Sequence, residues 1–279
     1  MIMNTRTTIA PFATRGLGIC LIAGAATLFA GCATYDAALG SGTNVTATDS
    51  ARLTKSGFLS DYARLKPNPE AGGMDCWRDP NLDPKKFDKV MISRILVSLV
   101  PPKNAKEGEH VTVDPSDLKT LTDYFHAALG KALSSQMQVV DKAGPGVAVI
   151  GIELTDLVPT KVTDSVTGTL IPYGFVAEIG SGAATGRPAG STPYMGETGM
   201  EMQVRDGATG AILAECRDTQ IGRKYAADPK GGVVGTAQTW ASGYMNSFQA
   251  WSYAKDAFDK WSLLIAKRFA ELRGVTPAK

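Results

Sequence analysis

The sequence predicts an α/β (α+β) fold: a single domain in which a mixed β-sheet carries an amphipathic helix between strands and a C-terminal helix packed on it. Three observations carry the prediction. Lys89 to Val100 (KVMISRILVSLV) is rich in β-branched residues and stops at Pro101-Pro102, neither of which can donate a ladder hydrogen bond. Asp114-Pro115 opens a segment in which Leu118, Leu121, Phe125, Ala128, Leu129, Ala132 and Leu133 share one helical face. Ser247 to Leu272 sets Phe248, Trp251, Phe258, Trp261, Ile265 and Leu272 along one side of a final helix.

The 279 residues are 44% hydrophobic and 20% charged, too apolar for a disordered tail and sufficient for a sizeable core. The 30 Gly and 15 Pro lack the period of a collagen-like chain. Lys+Arg 29 against Asp+Glu 27 leaves a net charge of +2, which argues against a nucleic-acid binder that works by neutralising phosphates.

The N-terminus is the sharpest signal. Arg6 and Arg15 are the only charges before Cys32, and Gly16 to Ala30 is apolar, the order of a secretory signal. That run of about 15 residues is shorter than the roughly 20 a membrane-crossing helix needs. Leu28-Phe29-Ala30-Gly31-Cys32 resembles a bacterial lipobox, with Phe29 where Leu usually stands. The resemblance implies cleavage between Gly31 and Cys32, a diacylglyceryl thioether on the Cys32 sulfur, and a third acyl chain, such as palmitate, on its new amino group. The alternatives are an ordinary cut after Ala30, or lipidation of Cys20, which follows branched Ile19 inside the apolar run. At about 0.8 kcal/mol per buried CH₂, three chains hold a protein on a membrane, so membrane lipid is the first expected partner. Ala33, in place of an inner-membrane Asp, points to the outer membrane, periplasmic face. Loss of residues 1–31 leaves 27 basic and 27 acidic residues, hence no electrostatic partner.

Cys76 and Cys216 then remain. In an oxidising compartment an even pair reads as one disulfide, the alternative being two unrelated small apolar thiols. A bridge across 140 positions restricts the unfolded chain by about 4 to 5 kcal/mol on the chain-entropy model. No C-x-x-C pair suggests redox chemistry.

Along the chain, residues 32–55 read as a lipidated tether of small polar residues and 56–275 as the periplasmic domain. After the Lys89 to Val100 strand, Asp114 caps the first helix and Asp117 lies near its positive end. Gln138 to Asp141 and Gly146 to Val158 read as strands about the turn Ala143 to Gly146, with Ile150, Ile152 and Leu154 on one face. Strand, helix, strand in that order permits a partly parallel sheet. Residues 160–195, rich in Gly, Thr and Pro, default to a long loop or irregular hairpin. Gly199 to Arg205 and Ala211 to Thr219 flank the turn Asp206 to Gly210, a strong hairpin signal. Trp240 and Tyr244 precede the last helix and, with Trp251, form a candidate partner surface.

GFLSDYARLKP (Gly57 to Pro67), Asp79-Pro80, FDKVMI (Phe87 to Ile92), DKAGPGV (Asp141 to Val147), the Asp206 to Gly210 turn and the Trp-rich last helix together resemble an uncharacterised bacterial lipoprotein family, the domain of unknown function numbered thirty-three thirteen. The resemblance spans most of residues 57–272 and implies an α/β domain behind a lipid anchor. It transfers no activity. Cys76 and Cys216 look like additions to the family pattern.

The chemistry-bearing residues are sparse. His110 and His126, the only histidines, fall on different elements, which makes a multi-His metal site or a His-based triad hard to build. Ser116-Asp-Leu-Lys119 matches an S-x-x-K spacing, but helix capping already accounts for it. No Walker loop, G-x-S-x-G or H-E-x-x-H occurs, so no cofactor or metal is expected. The expectation is a non-enzymatic lipid-anchored envelope protein serving protein interaction or envelope assembly. A carrier of lipid or another apolar molecule, and an unrecognised envelope hydrolase, are the alternatives.

Overall fold

Alternating apolar and polar residues in 197–222, continued by the aliphatic strands of 89–97 and 147–158, build a sheet whose two faces have opposite character. The computed structural model describes residues 44–46, 53–98, 113–165, 187–188, 191–192, 194–224, 237–238, 241–243, 245–246 and 249–275. All belong to one unit, Gly40–Lys279. Among them are nine strands: β1 (Asn44–Thr46), β2 (Lys66–Pro67), β3 (Asp75–Arg78), β4 (Lys89–Ile92), β5 (Leu96–Val97), β6 (Gln138–Val139), β7 (Val147–Val158), β8 (Glu197–Asp206) and β9 (Ile212–Gly222). They join in the order β2-β3-β9-β8-β7-β4-β6, with β1 also on β9 and β5 also on β7. The pairs among β4, β5, β6 and β7 are parallel and the others antiparallel, so the sheet is mixed, as expected.

Two helices cover one face. Helix α1 (Pro115–Ser134) starts where Asp114 accepts a hydrogen bond from the Ser116 N–H, and it buries Leu121, Phe125, Leu129 and Leu133, every fourth residue. Helix α2 (Ser252–Arg273) ends on Gly274, whose φ of 71° suits a residue without Cβ. It begins five residues later than the aromatic spacing suggests. Phe125 of α1 stacks on Phe258 of α2 at 4.6 Å, and Trp261 leans on both. Beneath them lie Val90, Ile150, Ile152, Leu154 and Met200, all essentially inaccessible. No helix among the described residues is long and apolar enough to cross a membrane.

Three local features depart from the sequence pattern. The expected strand Lys89 to Val100 is two pieces, because Ile92 pairs with Ile150 while Leu96 pairs with Glu153, and the extra residue forms a bulge. Packed structure also begins before residue 56: Asn44–Thr46 pairs with Gln220–Gly222, and Leu53 and Thr54 are buried. Finally, β2 and β3 add an edge that short, polar segments did not announce. In β3, Cys76 lies directly opposite Cys216 of β9, and the two form a disulfide.

Replacing both cysteines by Ala is expected to lower unfolding stability by about 2 to 5 kcal/mol, read as a lower urea midpoint. Reductant should shift the parent protein likewise and leave the variant unmoved; coincident curves for both proteins would show that the bridge adds nothing.

Candidate functional site

The face of the sheet away from α1 and α2 is the polar one. Glu201, Gln203, Glu215 and Arg217 alternate with the core residues of β8 and β9 and are all buried. A strap, residues 53–67, crosses them and satisfies their carboxylates. Ser56 donates to Glu201 through its N–H (3.1 Å) and hydroxyl (2.7 Å), and the Tyr62 hydroxyl adds a third bond at 2.7 Å. Ser60 repeats the arrangement on Glu215 with its N–H (2.7 Å) and hydroxyl (3.0 Å). Arg64 completes it, 2.6 Å from Glu215, with its guanidinium stacked 3.4 Å above Trp77. Burial alone would push the Glu215 carboxyl up, but the Ser60 N–H, Arg64, Gln203 and the Ser60 hydroxyl outweigh it and hold Glu215 below the usual carboxylate range. The strap is thus a structural cover.

On the helix face, a groove of about 1010 Å³ lies beside the C-terminal half of α2. Its floor is Met202, Val204, Leu213 and the Cys76–Cys216 bridge. Its walls are Met74 and Phe87 on one side, and Leu264 and Phe269 of α2 on the other. The rim charges pair among themselves: Arg268 bonds Glu70 at 2.7 Å and Glu271 at 2.6 Å. Such a volume and lining suit an apolar ligand or segment.

A third group of polar residues closes the opposite end of the sheet. Asp156 occupies a bulge between β7 and β8 at φ 49° and accepts hydrogen bonds from the hydroxyls of Thr54 and Thr155. Burial, reinforced by the neighbouring Glu197 charge, pushes its carboxyl up to about 6. Arg187 reaches Glu197 at 3.4 Å. Buried Tyr253 at the start of α2 donates to the carbonyls of Val158 and Glu197, and it lies where a Cβ on Gly196 would come within 2.1 Å of its ring. Asp218, fully buried between β9 and α2, accepts from the Trp261 indole at 2.7 Å, and burial raises its carboxyl.

The expected site residues are distributed unevenly over these regions. Cys76 and Cys216 meet in the groove floor. Trp251 is half-buried and donates from its indole to Asp117 at 2.9 Å, tying the start of α2 to α1. Trp240, Tyr244, Gly31, Cys32 and His110 lie outside the described residues. Ser116 and Lys119 are occupied by Asp114 and Asp123, in keeping with capping and surface pairing. Exposed His126 sits 3.4 Å from the Ile92 carbonyl. No group of three or more His, Cys, Asp or Glu that could hold a metal occurs among the described residues. Sequence reasoning missed Glu201, Glu215 and the groove. The paired Ser residues of the strap were the only available hint of the first two.

Asp156 sets a pH dependence. With its folded value near 6 and an ordinary value of 3.8, the folded chain keeps a proton that the unfolded chain has shed between those limits. Stability therefore falls as pH rises from about 4 to 6, by up to about 3 kcal/mol for a shift of this size. Asp156→Asn should flatten that slope and gain stability relative to the parent at pH 7, as read by urea melts across pH. Gly196→Ala should lose about 1 to 3 kcal/mol by overpacking against Tyr253 in the same assay.

Among solved structures, the chain is loosely similar to a PelC dodecamer from Paraburkholderia phytofirmans, with 12% identity over 63% of this chain and 96% of that one and a TM-score of 0.29. A DUF4136 family protein from Bacteroides thetaiotaomicron VPI-5482 shows 14% identity over the same shares and a TM-score of 0.24. Among curated proteins, residues of this chain are 29% identical over 92 residues to "Uncharacterized lipoprotein YdcL" of Escherichia coli strain K12, and equally to that of O157:H7. The match spans 32% of this chain and 39% of that relative. The model of a family described as protein of unknown function (DUF3313) matches residues 54–243, from the strap through β9 and beyond, and the chain belongs to that family.

Proposed function

We propose that this protein is a non-catalytic envelope lipoprotein, held by acyl chains on Cys32 at the periplasmic face of the outer membrane, whose domain takes an apolar segment of an envelope protein partner into the groove beside α2. The groove carries the reading. Its floor and walls are aliphatic, aromatic and sulfur side chains, and the Arg268, Glu70 and Glu271 charges at its rim are spent on one another rather than converging on a reacting atom. The lipobox-like Leu28 to Cys32 string and a relative named as a lipoprotein support the anchor.

A second reading has one observation in its favour: about 1010 Å³ between sheet and helix is also room for the acyl chain of a carried lipid.

Two measurements test the proposal. Intact mass of the protein from its native host should show a chain beginning at acylated Cys32, and Cys32→Ser should release the protein from membranes; an unmodified start refutes the anchor. A photoreactive benzophenone side chain at Leu272, on the groove lining, should give one discrete protein adduct in the native envelope. The adduct should vanish when Ala214→Trp fills the groove. Stoichiometric lipid in the purified protein, with no protein adduct, would replace the partner reading with the carrier.

A further inference from the structure

A second cavity, of about 450 Å³, opens on the polar face of the sheet, beside the strap. Strand pairing lays its floor: Val149 of β7 faces Arg205 of β8, and Gly151 faces Gln203. Gly151 has no side chain, and the Phe58 ring of the strap takes up that space; a Cβ at 151 would lie 3.3 Å from the ring tip. The strap turns into Phe58 at Gly57, whose φ is 95° and whose N–H donates to the Tyr62 hydroxyl at 2.8 Å. The bulge between β4 and β5 supplies another side. It buries Ile95 in the core and leaves Ser93, Arg94 and the exposed Leu96 at the cavity.

The charges of this cavity are of one sign. Arg94 and Arg205 line it and no carboxylate does; Glu153, two positions beyond Gly151 on β7, lies outside the lining. Among the described residues neither guanidinium pairs with a carboxylate. Neutral acceptors hold Arg205 instead: its Nε donates to Gln203 Oε1 at 2.6 Å and its Nη1 to the Gly210 carbonyl at 3.2 Å. Gln203 is itself fixed, because its amide donates to Glu215 at 2.6 Å. These bonds orient the guanidinium without neutralising it and leave Nη2 for a ligand. A fork fixed beforehand loses little freedom when it meets an oxyanion. The Phe58 ring and Leu96 supply apolar surface in the same concavity. Apolar walls beside two uncompensated guanidiniums complement a molecule that is apolar in its body and anionic at one end.

We propose that this cavity binds a small amphiphilic anion, whose carboxylate or phosphate is met by Arg94 and Arg205 and whose apolar body packs against Phe58 and Leu96. The site differs in place and in chemistry from the groove beside α2, and it depends neither on the partner reading nor on the Cys32 anchor. It also gives the strap a second task, since the segment that covers Glu201 and Glu215 presents the aromatic wall.

The test is calorimetric titration of the full chain with naphthoate, with naphthyl phosphate and with the uncharged analogue naphthylmethanol. At least one anion should bind about tenfold or more tightly than the alcohol, and less tightly as sodium chloride is raised. Preference for naphthoate identifies a carboxylate ligand, and the reverse preference a phosphate ester. Arg94→Gln and Arg205→Gln, both exposed in the parent, should each weaken that binding by about tenfold. Gly151→Val, with an unchanged urea midpoint, should weaken it by filling the floor. Ala214→Trp, which fills the groove beside α2, should leave it unchanged. Binding of neither anion, equal affinity for the alcohol, or an anion affinity that survives both arginine substitutions overturns the site. Loss of binding in Ala214→Trp but in neither arginine variant places the probe in the groove and overturns it as well.

Discussion

Glu201 and Glu215 lie on adjacent strands of the sheet face that neither α1 nor α2 covers, and both are inaccessible to solvent. A buried carboxylate without partners costs several kcal/mol, so the position of the strap is dictated by these two side chains. Ser56 and Ser60, four residues apart, present the same N–H and hydroxyl pair to each. Once the strap is in place, the chain is delivered through Lys66–Pro67 to β3, Cys76 comes opposite Cys216, and Met74 is set as a wall of the groove. The polar face thereby shapes a cavity on the apolar one.

The groove follows from the same economy of cover. Helix α1 and the first half of α2 lock together through Phe125, Phe258 and Trp261, while Leu264, Ile265, Phe269 and Leu272 of the second half of α2 line the groove. Residues between β2 and β4 line the rest of it. The result is an apolar trough between sheet and helix, with the Arg268, Glu70 and Glu271 charges paired at its rim.

Much of this architecture was legible in the sequence because long elements advertise their period. The four-residue repeat from Leu121 to Leu133, the alternation Ile150, Ile152, Leu154 and the Asp206–Gly210 turn each required only local rules, and the disulfide required only a count of thiols and a compartment. The bulge after Ile92 was hidden, since one inserted residue does not disturb a run of uniformly apolar side chains. Strands β2 and β3 were hidden for another reason: two and four residues are too few for a period to show. The strap motif could be recognised as a string, but its purpose depended on carboxylates about 150 positions away, a distance over which no local pattern reports. The groove is likewise assembled from β3, β8, β9, the segment before β4 and α2, and no single residue announces it.

The pairing of β3 with β9 also fixes the order in which the molecule can be completed. Residues 53–78 precede along the chain both the strand that receives them and the carboxylates they serve, so a polypeptide entering its compartment from the N-terminal side carries them uncovered until Glu201 to Arg217 has arrived. The β4, α1 and β7 portion, by contrast, finds its partners within residues 89–158, so the opening segment is early in the sequence and late in structure.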